Sequence, residues 1–418
     1  MERTRPLSAP DMSPTVQQEV ARLAGVPEVR AAFSRFRFEE AQFAQWQMEA
    51  SRVPAPPFGE TPRAEWLADR FRELGLTNVE IDEVGNVFGV RPAYGQRYIS
   101  ISAHIDTVFP ASTQLNVRQQ GSRLYGPGVS DNGAGIAAML AIASVLRSSQ
   151  IAHTLPFVFI GNVGEEGEGD LRGMRHVFQT ADWGDAIAYS VIIDGAGSDT
   201  VVAEALGSRR FEVIARGPGG HSWSDFGAPN PIFALARAIQ SLSETPVPAS
   251  PKTTFNVGVI RGGTSVNSIP ESASMRVDLR STSMAEIDRL ERALRIALDH
   301  AVDSENQPAL ARNPRRAQIV QYEVVEIGNR PAGELAADSR LLKVIRAVDA
   351  QLGNTAQIQR ASTDANIPLS LGREAIAIGG GGTGGGAHTL QEWFDCNGRE
   401  LGLRRILLTM LALSAVGE

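Results

Sequence analysis

Hydrophobic and polar positions change rhythm several times along this chain. From Ala32 to Ala50, Phe33, Phe36, Phe38, Phe43 and Trp46 recur among charged residues at roughly helical spacing, which predicts an amphipathic helix packed on a larger body. Pro54, Pro56 and Pro57 break the chain. A second helix is expected from Pro62 to Leu74, closed by Gly75. Val79–Glu83 and Val87–Arg91 read as a hairpin around Gly85-Asn86. Buried strands follow at Tyr98–Ala103, Leu155–Ile160 and Ser190–Ile193, with an apolar helix at Ile136–Leu146 between the first two. Such alternation predicts an α/β sheet covered by helices.

Near Ser208 the order changes. Strand Phe211–Ala215, helix Pro231–Leu242, strands Thr254–Ile260 and Ala273–Leu279, helix Met284–Val302 and strand Gln318–Glu326 spell β-α-β-β-α-β. That is the split βαβ order of a ferredoxin-like unit. Helix Ala337–Leu352, strand Ala375–Ile378 and a helix from Arg399 then resume the first pattern. The expected organisation is a catalytic domain in two pieces, 1–207 and 330–418, interrupted by an inserted domain at 208–329.

Composition narrows the partners. The 418 residues are 43% hydrophobic and 21% charged, as in ordinary globular proteins, and the net charge is −7. Nucleic acid as the main partner is therefore not expected, since it calls for a clustered basic face. Arg312, Arg315 and Arg316 are read as a solvated patch. The single cysteine, Cys396, excludes an intrachain disulfide and a thiolate zinc site, and its polar surroundings carry no activating pattern. The opening stretch MERTRPLSAPDMSP has no apolar signal core, and no apolar run is long enough to span a bilayer. The expectation is a cytoplasmic protein with no membrane partner.

The chemistry lies in five short segments. In Ser102-Ala103-His104-Ile105-Asp106 the extended i, i+2 spacing lets His104 and Asp106 share a pocket. A carboxylate behind a ligating imidazole fixes its tautomer, although a surface His–Asp pair has the same spelling. Asp131, in Gly128-Val129-Ser130-Asp131-Asn132-Gly133, precedes the apolar helix and reads either as its N-cap or as a carboxylate that bridges two cations. Gly164-Glu165-Glu166-Gly167-Glu168-Gly169-Asp170 concentrates acids directly after a strand, as a solvated loop or as a cation site with one glutamate left for proton transfer. Asp194 ends an apolar strand and needs a partner there. Gly379–Gly386, glycine except for Thr383, precedes His388 and lets the backbone approach something closely; it lacks the Gly-Lys-Ser/Thr ending of a phosphate loop. Together these supply two histidines and three carboxylates at strand ends, where open α/β sheets gather their ligands. Nitrogen and oxygen donors without sulfur suit zinc, with cobalt or manganese as replacements.

From about residue 55 onward, the order His-x-Asp, Gly-x-Ser-Asp-Asn-Gly, Glu-Glu-Gly, Asp-Gly and a late Ala-His resembles the peptidase T, glutamate carboxypeptidase and aminoacylase family of two-zinc hydrolases, metallopeptidase family twenty. The resemblance implies a mixed-sheet zinc-exopeptidase catalytic domain with an inserted ferredoxin-like lid and dimerisation domain. By it, His104, Asp131 and Asp194 hold one Zn2+, and Asp131, Glu166 and His388 hold the other. Asp106 orients His104, and Glu165 is the general base. His221, in Gly217-Pro218-Gly219-Gly220-His221, stabilises the oxyanion across a homodimer formed through the lid. Asn267 and Arg280 bind a substrate carboxylate, with Thr363 and Asp364 near the substrate. The same resemblance implies a cis Asp131–Asn132 bond. The implied activity is cleavage of an amide bond in small di- or tripeptides. An N-acyl or N-carbamoyl amino acid amidohydrolase and a non-catalytic binding protein on the same scaffold are the alternatives. The stretch from Gly167 to Gly173 is longer and more acidic than the family's usual version, which bears on specificity.

Overall fold

The computed structural model describes residues 15–181, 183–312 and 318–415. The opening MERTRPLSAPDMSP, together with Arg315 and Arg316, lies outside the described residues, as does the side chain of Arg312. The body is a mixed sheet. In spatial order its strands are Thr77–Ile81, Val87–Arg91, Phe157–Asn162, Tyr98–His104, Ile187–Ile193, Glu374–Ile378, Thr200–Ala205 and Gly333–Glu334, with Gln357–Ala361 also paired to Thr200–Ala205. The four central strands, from Phe157–Asn162 to Glu374–Ile378, run parallel, and antiparallel strands flank them on both sides. These central strands are mostly apolar and largely buried on both faces, as a parallel sheet requires. Helices Gly133–Ser148, Arg340–Leu352 and Arg399–Ser414 supply the apolar faces that close the core.

The N-terminal region is helical, but as three helices: Val16–Gly25, Pro27–Phe38 and Glu40–Arg52. The single helix expected over Ala32–Ala50 breaks at Glu39, whose ψ of 8° departs from helical values. Phe36 and Phe43 on either side of that break are fully buried and meet edge to face, with ring centroids 6.5 Å apart.

Residues 207 to 330 form a second sheet with strand order Thr253–Gly262, Ser272–Ser281, Gly207–Arg216, Gln321–Arg330, antiparallel throughout. Helices Pro231–Ser243 and Met284–Arg312 cover one face. The apolar residues of this unit form a cluster of their own, centred on Phe211, Leu235, Met275, Leu279, Leu290 and Leu294, and no residue between 207 and 330 belongs to the main cluster. The chain enters the unit at Leu206–Gly207 and leaves it at Arg330–Pro331. Both crossings meet at the buried Asn366, whose Nδ2 donates to Leu206 O at 2.9 Å and to Pro331 O at 2.8 Å.

A candidate two-metal centre

The site is assembled where the parallel strands end. Tyr98–His104 finishes on His104 itself, Ile187–Ile193 runs directly into Asp194, and Phe157–Asn162 leads three residues later to Glu165 and Glu166. Asp131 and His388 arrive by another route. Strands Arg123–Tyr125 and Trp393–Asp395 pair antiparallel in a small sheet, so the loop after Tyr125 and the turn before Trp393 lie side by side. The glycine run makes this approach possible. A Cβ on Gly384 would sit 2.2 Å from Ser130 Oγ, and one on Gly402 would sit 2.4 Å from Gly381 Cα.

Asp131 lies between the two histidines. Its Oδ1 is 3.1 Å from His104 Nε2 and its Oδ2 is 3.0 Å from His388 Nε2. Asp194 Oδ1 is 3.8 Å from His104 Nε2, and Glu166 Oε1 is 3.0 Å from His388 Nε2. The donor atoms of His104, Asp131 and Asp194 all lie within 4.8 Å of one another, as do those of Asp131, Glu166 and His388. Asp106 is fully buried behind His104, with Oδ1 3.6 Å from Nδ1. Its two oxygens also accept from the backbone N–H groups of Glu165, at 3.0 Å, and Glu166, at 2.8 Å. His104 Nδ1 pairs with the Asp106 backbone carbonyl at 3.2 Å, so this one residue positions the imidazole through its carbonyl and nearby carboxylate and the Glu-Glu loop through its carboxylate.

The helix-cap reading of Asp131 is corrected by its neighbour. Asn132 is the N-cap of helix Gly133–Ser148, accepting from Gly135 N, and its side chain also accepts from Gly195 N and donates to Ile193 O. This leaves the Asp131 carboxylate to the pocket. The Asp131–Asn132 peptide bond is cis.

The electrostatics call for cations. Burial disfavours a charged His104, yet the close carboxylates of Asp106, Asp131 and Asp194 hold its pKa well above the usual imidazole value. His388, hydrogen-bonded to Asp131, is raised to about 9. Burial opposes ionisation of Asp131, but its two histidine contacts hold it below the usual carboxylate range. Glu166 is raised by burial, with Asp131 pushing the same way. Three carboxylates and two imidazoles thus share a pocket in which protons substitute for positive charge. Asp131 Oδ1 is buried, and among the described residues no aligned hydrogen bond reaches it. A buried carboxylate oxygen that no donor reaches with hydrogen-bond alignment fits a cation. The donor set, two imidazole nitrogens and carboxylate oxygens around a shared aspartate, suits a pair of zinc ions.

Glu165 stands beside the cluster and is buried. Burial pushes its carboxyl well above the usual range, and the Arg330 guanidinium pulls it back. Arg330 Nη1 donates to Glu165 Oε1 at 2.9 Å, and Nη2 donates to the Glu165 carbonyl. Asp364, adjacent to Thr363, accepts from Asn162 Nδ2 at 2.7 Å and is raised by burial to about 7. Thr363 is buried, and its N–H donates to Asn366 Oδ1 at 2.9 Å.

The other expected binding residues lie on the smaller unit. His221 is exposed; its strand Gly220–His221 pairs with Ser268–Ile269, and its Nδ1 accepts from Trp223 N at 3.2 Å. Asn267 is exposed beside it, its carbonyl accepting from Ser222 N. Arg280 donates to Asp278 Oδ2 at 2.6 Å, and Asp278 Oδ1 accepts from Arg210. His221 and Asn267 lie on neighbouring segments, and Arg280 contacts its own sheet; among the described contacts none of the three reaches Asp131.

Two participants were not singled out in the sequence. One is Arg330. The other is Glu392, fully buried, whose carboxylate accepts from Gly128 N at 2.8 Å and from Ser130 N and Asp131 N at 2.7 Å each. Burial raises Glu392 to about 7, against these three bonds. An acid four residues after His388 was the available signal, and spacing alone attaches no role to it. Cys396 is buried, and burial pushes its thiol up to about 11, the opposite of an activated nucleophile. No helix among the described residues is long and apolar enough to cross a membrane.

Comparison with known proteins agrees with this geometry. A probable carboxypeptidase of Aspergillus clavatus is 31% identical over 246 residues, covering 53% of this chain and 54% of the relative. The chain thus spans about half the length of the curated relatives it matches. The aminopeptidase PepT of Bacillus cereus superposes with a TM-score of 0.70 at 20% identity, covering 90% of this chain and 99% of that one. The di-peptidase Dug1p of Saccharomyces cerevisiae does so with a TM-score of 0.73 at 14% identity, covering 93% and 99%. At these identities the superpositions establish the fold. The family model for peptidase family M20/M25/M40 matches residues 100–411, the span that carries all five candidate ligands, and the chain belongs to that family.

Proposed function

We propose that this protein is a two-zinc hydrolase that cleaves an amide bond in small peptides. One observation carries the reading: a shared aspartate, Asp131, lies between His104 and His388 at 3.1 and 3.0 Å, with the buried, Arg330-held carboxylate of Glu165 alongside. Bound zinc would supply Lewis-acid polarisation of the scissile carbonyl and a water of lowered pKa. His104, Asp131 and Asp194 would hold one ion, and Asp131, Glu166 and His388 the other. Glu165 takes the proton from the attacking water and returns it to the leaving amine. Asp106 keeps His104 in one tautomer and holds the Glu-Glu loop against it.

Asn267 and Arg280 receive the substrate carboxylate, and Thr363 borders the substrate. His221 stabilises the developing oxyanion in the site of a second copy. That reading explains an exposed histidine set apart from the cluster of its own chain, and it makes the protein a homodimer through the 207–330 unit. The exposed Trp223, Phe233 and Val266 beside His221 suit burial in such a contact. The printed names of the relatives, a probable carboxypeptidase, an aminopeptidase and a di-peptidase, share peptide hydrolysis and differ in the end attacked.

The test is metal analysis combined with hydrolysis assays on dipeptides, tripeptides and acyl amino acids. Two zinc equivalents and chelator-sensitive peptide cleavage are expected. Full activity in protein free of divalent transition metal would refute the proposal, and turnover of acyl amino acids with none of peptides would replace the substrate class.

A further inference from the structure

We propose that Arg330 is a positioning residue for Glu165, and that it makes the placement of the base depend on how the 207–330 unit is seated; this rests on the reading of Glu165 as general base. Arg330 is the last residue of strand Gln321–Arg330, paired with Ser208 at the opening of the same unit. It belongs to the smaller sheet by hydrogen bonding and to the catalytic pocket by its side chain. The guanidinium is buried and takes Glu165 at two points, the carboxylate Oε1 and the backbone carbonyl. It also donates to Ser362 Oγ at 3.3 Å. Holding both ends of one residue fixes the rotamer of that residue as well as its charge. With Oε1 engaged by Arg330, Oε2 is the oxygen that exchanges the proton.

The segment around Arg330 is tied to the catalytic body on both sides. Asp170 accepts from Asn329 N at 2.9 and 3.1 Å through its two oxygens, and Arg175 donates to the Asn329 carbonyl. Pro331 O is held by Asn366, the same amide that holds Leu206 O at the other crossing. Asp170 lies in the stretch after the Glu-Glu pair that is longer and more acidic than the family's usual version. Both Asp170 and Leu171 have positive φ, 48° and 62°, a conformation that turns the Asp170 carboxylate toward Asn329. The loop bearing the base and the strand ending in Arg330 therefore grip each other at adjacent points, Asp170 on Asn329 and Arg330 on Glu165. A tilt of the smaller sheet at the Asn366 junction moves Arg330, and Glu165 moves with it. Positioning of this kind has a large effect on rate, since misplacing a reacting group by about 1 Å costs about a hundredfold.

The experiment compares wild type, Arg330→Met, Arg330→Lys, Glu165→Gln and the double variant Glu165→Gln/Arg330→Met in kcat, KM and bound zinc. Wild-type peptide turnover comes first; its absence would overturn the peptide-hydrolase reading and this inference with it. Given an active wild type, Arg330→Met is expected to lower kcat by about a hundredfold with KM within about twofold and zinc content unchanged. Arg330→Lys keeps the charge without the two-point grip and is expected to lose about tenfold in kcat. In the Glu165→Gln background, removing Arg330 is expected to cost less than about twofold more, because its effect passes through the residue already lost. Three results would overturn the proposal: unchanged kcat in the Arg330 variants, losses that multiply fully in the double variant, or a tenfold rise in KM, which would make Arg330 a substrate ligand. If Arg330→Met does not accumulate as folded protein, Arg330→Lys decides by the same kcat and KM criteria.

Discussion

Glu392→Gln should weaken zinc binding without touching a ligand. In the native protein one carboxylate collects three backbone N–H groups, Oε1 taking Ser130 and Asp131 and Oε2 taking Gly128. It thereby fastens the loop carrying Asp131 to the turn carrying His388, four residues upstream of itself. Glutamine offers one acceptor oxygen and one amino group. With the oxygen placed on Ser130 and Asp131, the amino group faces Gly128 N and leaves that buried donor unsatisfied, at about 1–3 kcal/mol. The two remaining bonds lose their charge assistance, whereas removing a carboxylate that burial has already raised to about 7 gives part of that back. A net cost of about 2 kcal/mol falls on the loop that sets the spacing between Asp131 and His388. Expressed in metal affinity, about 2 kcal/mol is a factor of about 30, within the range found for groups that orient ligands. The assay is competitive zinc titration against a chromophoric chelator, with thermal unfolding of the apo protein as a control. The second zinc equivalent should weaken by about 10–100-fold while the first changes less, because His104 and Asp194 are independent of Glu392. Unaltered affinity at both sites in Glu392→Gln would refute the reasoning.

Three further outcomes are expected. Glu165→Gln should lose at least about a hundredfold in turnover while retaining both metals; loss of metal in proportion to activity would make Glu165 a ligand instead of a base. Mixing inactive His221→Ala protein with inactive Glu165→Gln protein should restore some activity, because a heterodimer contains one complete site; no recovery despite demonstrated subunit exchange would rule out the shared site. His153 is held as a neutral imidazole, with Nδ1 donating to Leu155 O at 2.9 Å and Nε2 accepting from Arg91 at 3.2 Å. Burial lowers its pKa, and Arg91 pushes the same way. A folded value below the unfolded one means its contribution is intact above about pH 6.5 and is lost as the pH falls below that. His153→Phe, which keeps the stack on Phe157, should therefore flatten the fall in Tm on going from about pH 7.5 to 5.5. Identical slopes in variant and wild type would count against it.

The cluster of His104, Asp131, Glu166, Asp194 and His388 was legible in the sequence because each of these residues follows a run of buried apolar strand or a glycine loop, and both leave local marks. The ferredoxin-like strand order was legible for the same reason: its helices and strands have distinct periods. Arg330 was hidden by a boundary. Periodicity places the end of the last strand at Glu326, whereas the strand passes an irregularity between Glu326 and Gly328 and continues to Arg330, so the buried arginine beside Glu165 falls in sequence within an expected connection. Strands Thr200–Ala205 and Gln357–Ala361 went unread because they lie at the sheet's margin, where half of Thr200–Ala205 and nearly all of Gln357–Ala361 stays polar or accessible. Helix Met284–Arg312 runs ten residues beyond its expected end at Val302 and contains Pro308, a residue that argues against helix in any local reading. Glu392 and Asn366 act on backbone groups far away in sequence, and no spacing rule records such contacts.

The side-by-side crossings at Leu206–Gly207 and Arg330–Pro331 also bear on how such a molecule can be altered. Because both ends of the inserted unit leave from one spot, bridged by the Asn366 amide, the unit is attached to its host as a branch is to a trunk. Its apolar cluster shares no residue with the main one, so recombination at that spot can swap one branch for another of different length or surface while the trunk keeps its own interior. Every proposed zinc ligand stays with the trunk in such an exchange. What the newcomer must supply are counterparts of His221, Asn267 and Arg280, and one arginine at the last step before the chain returns.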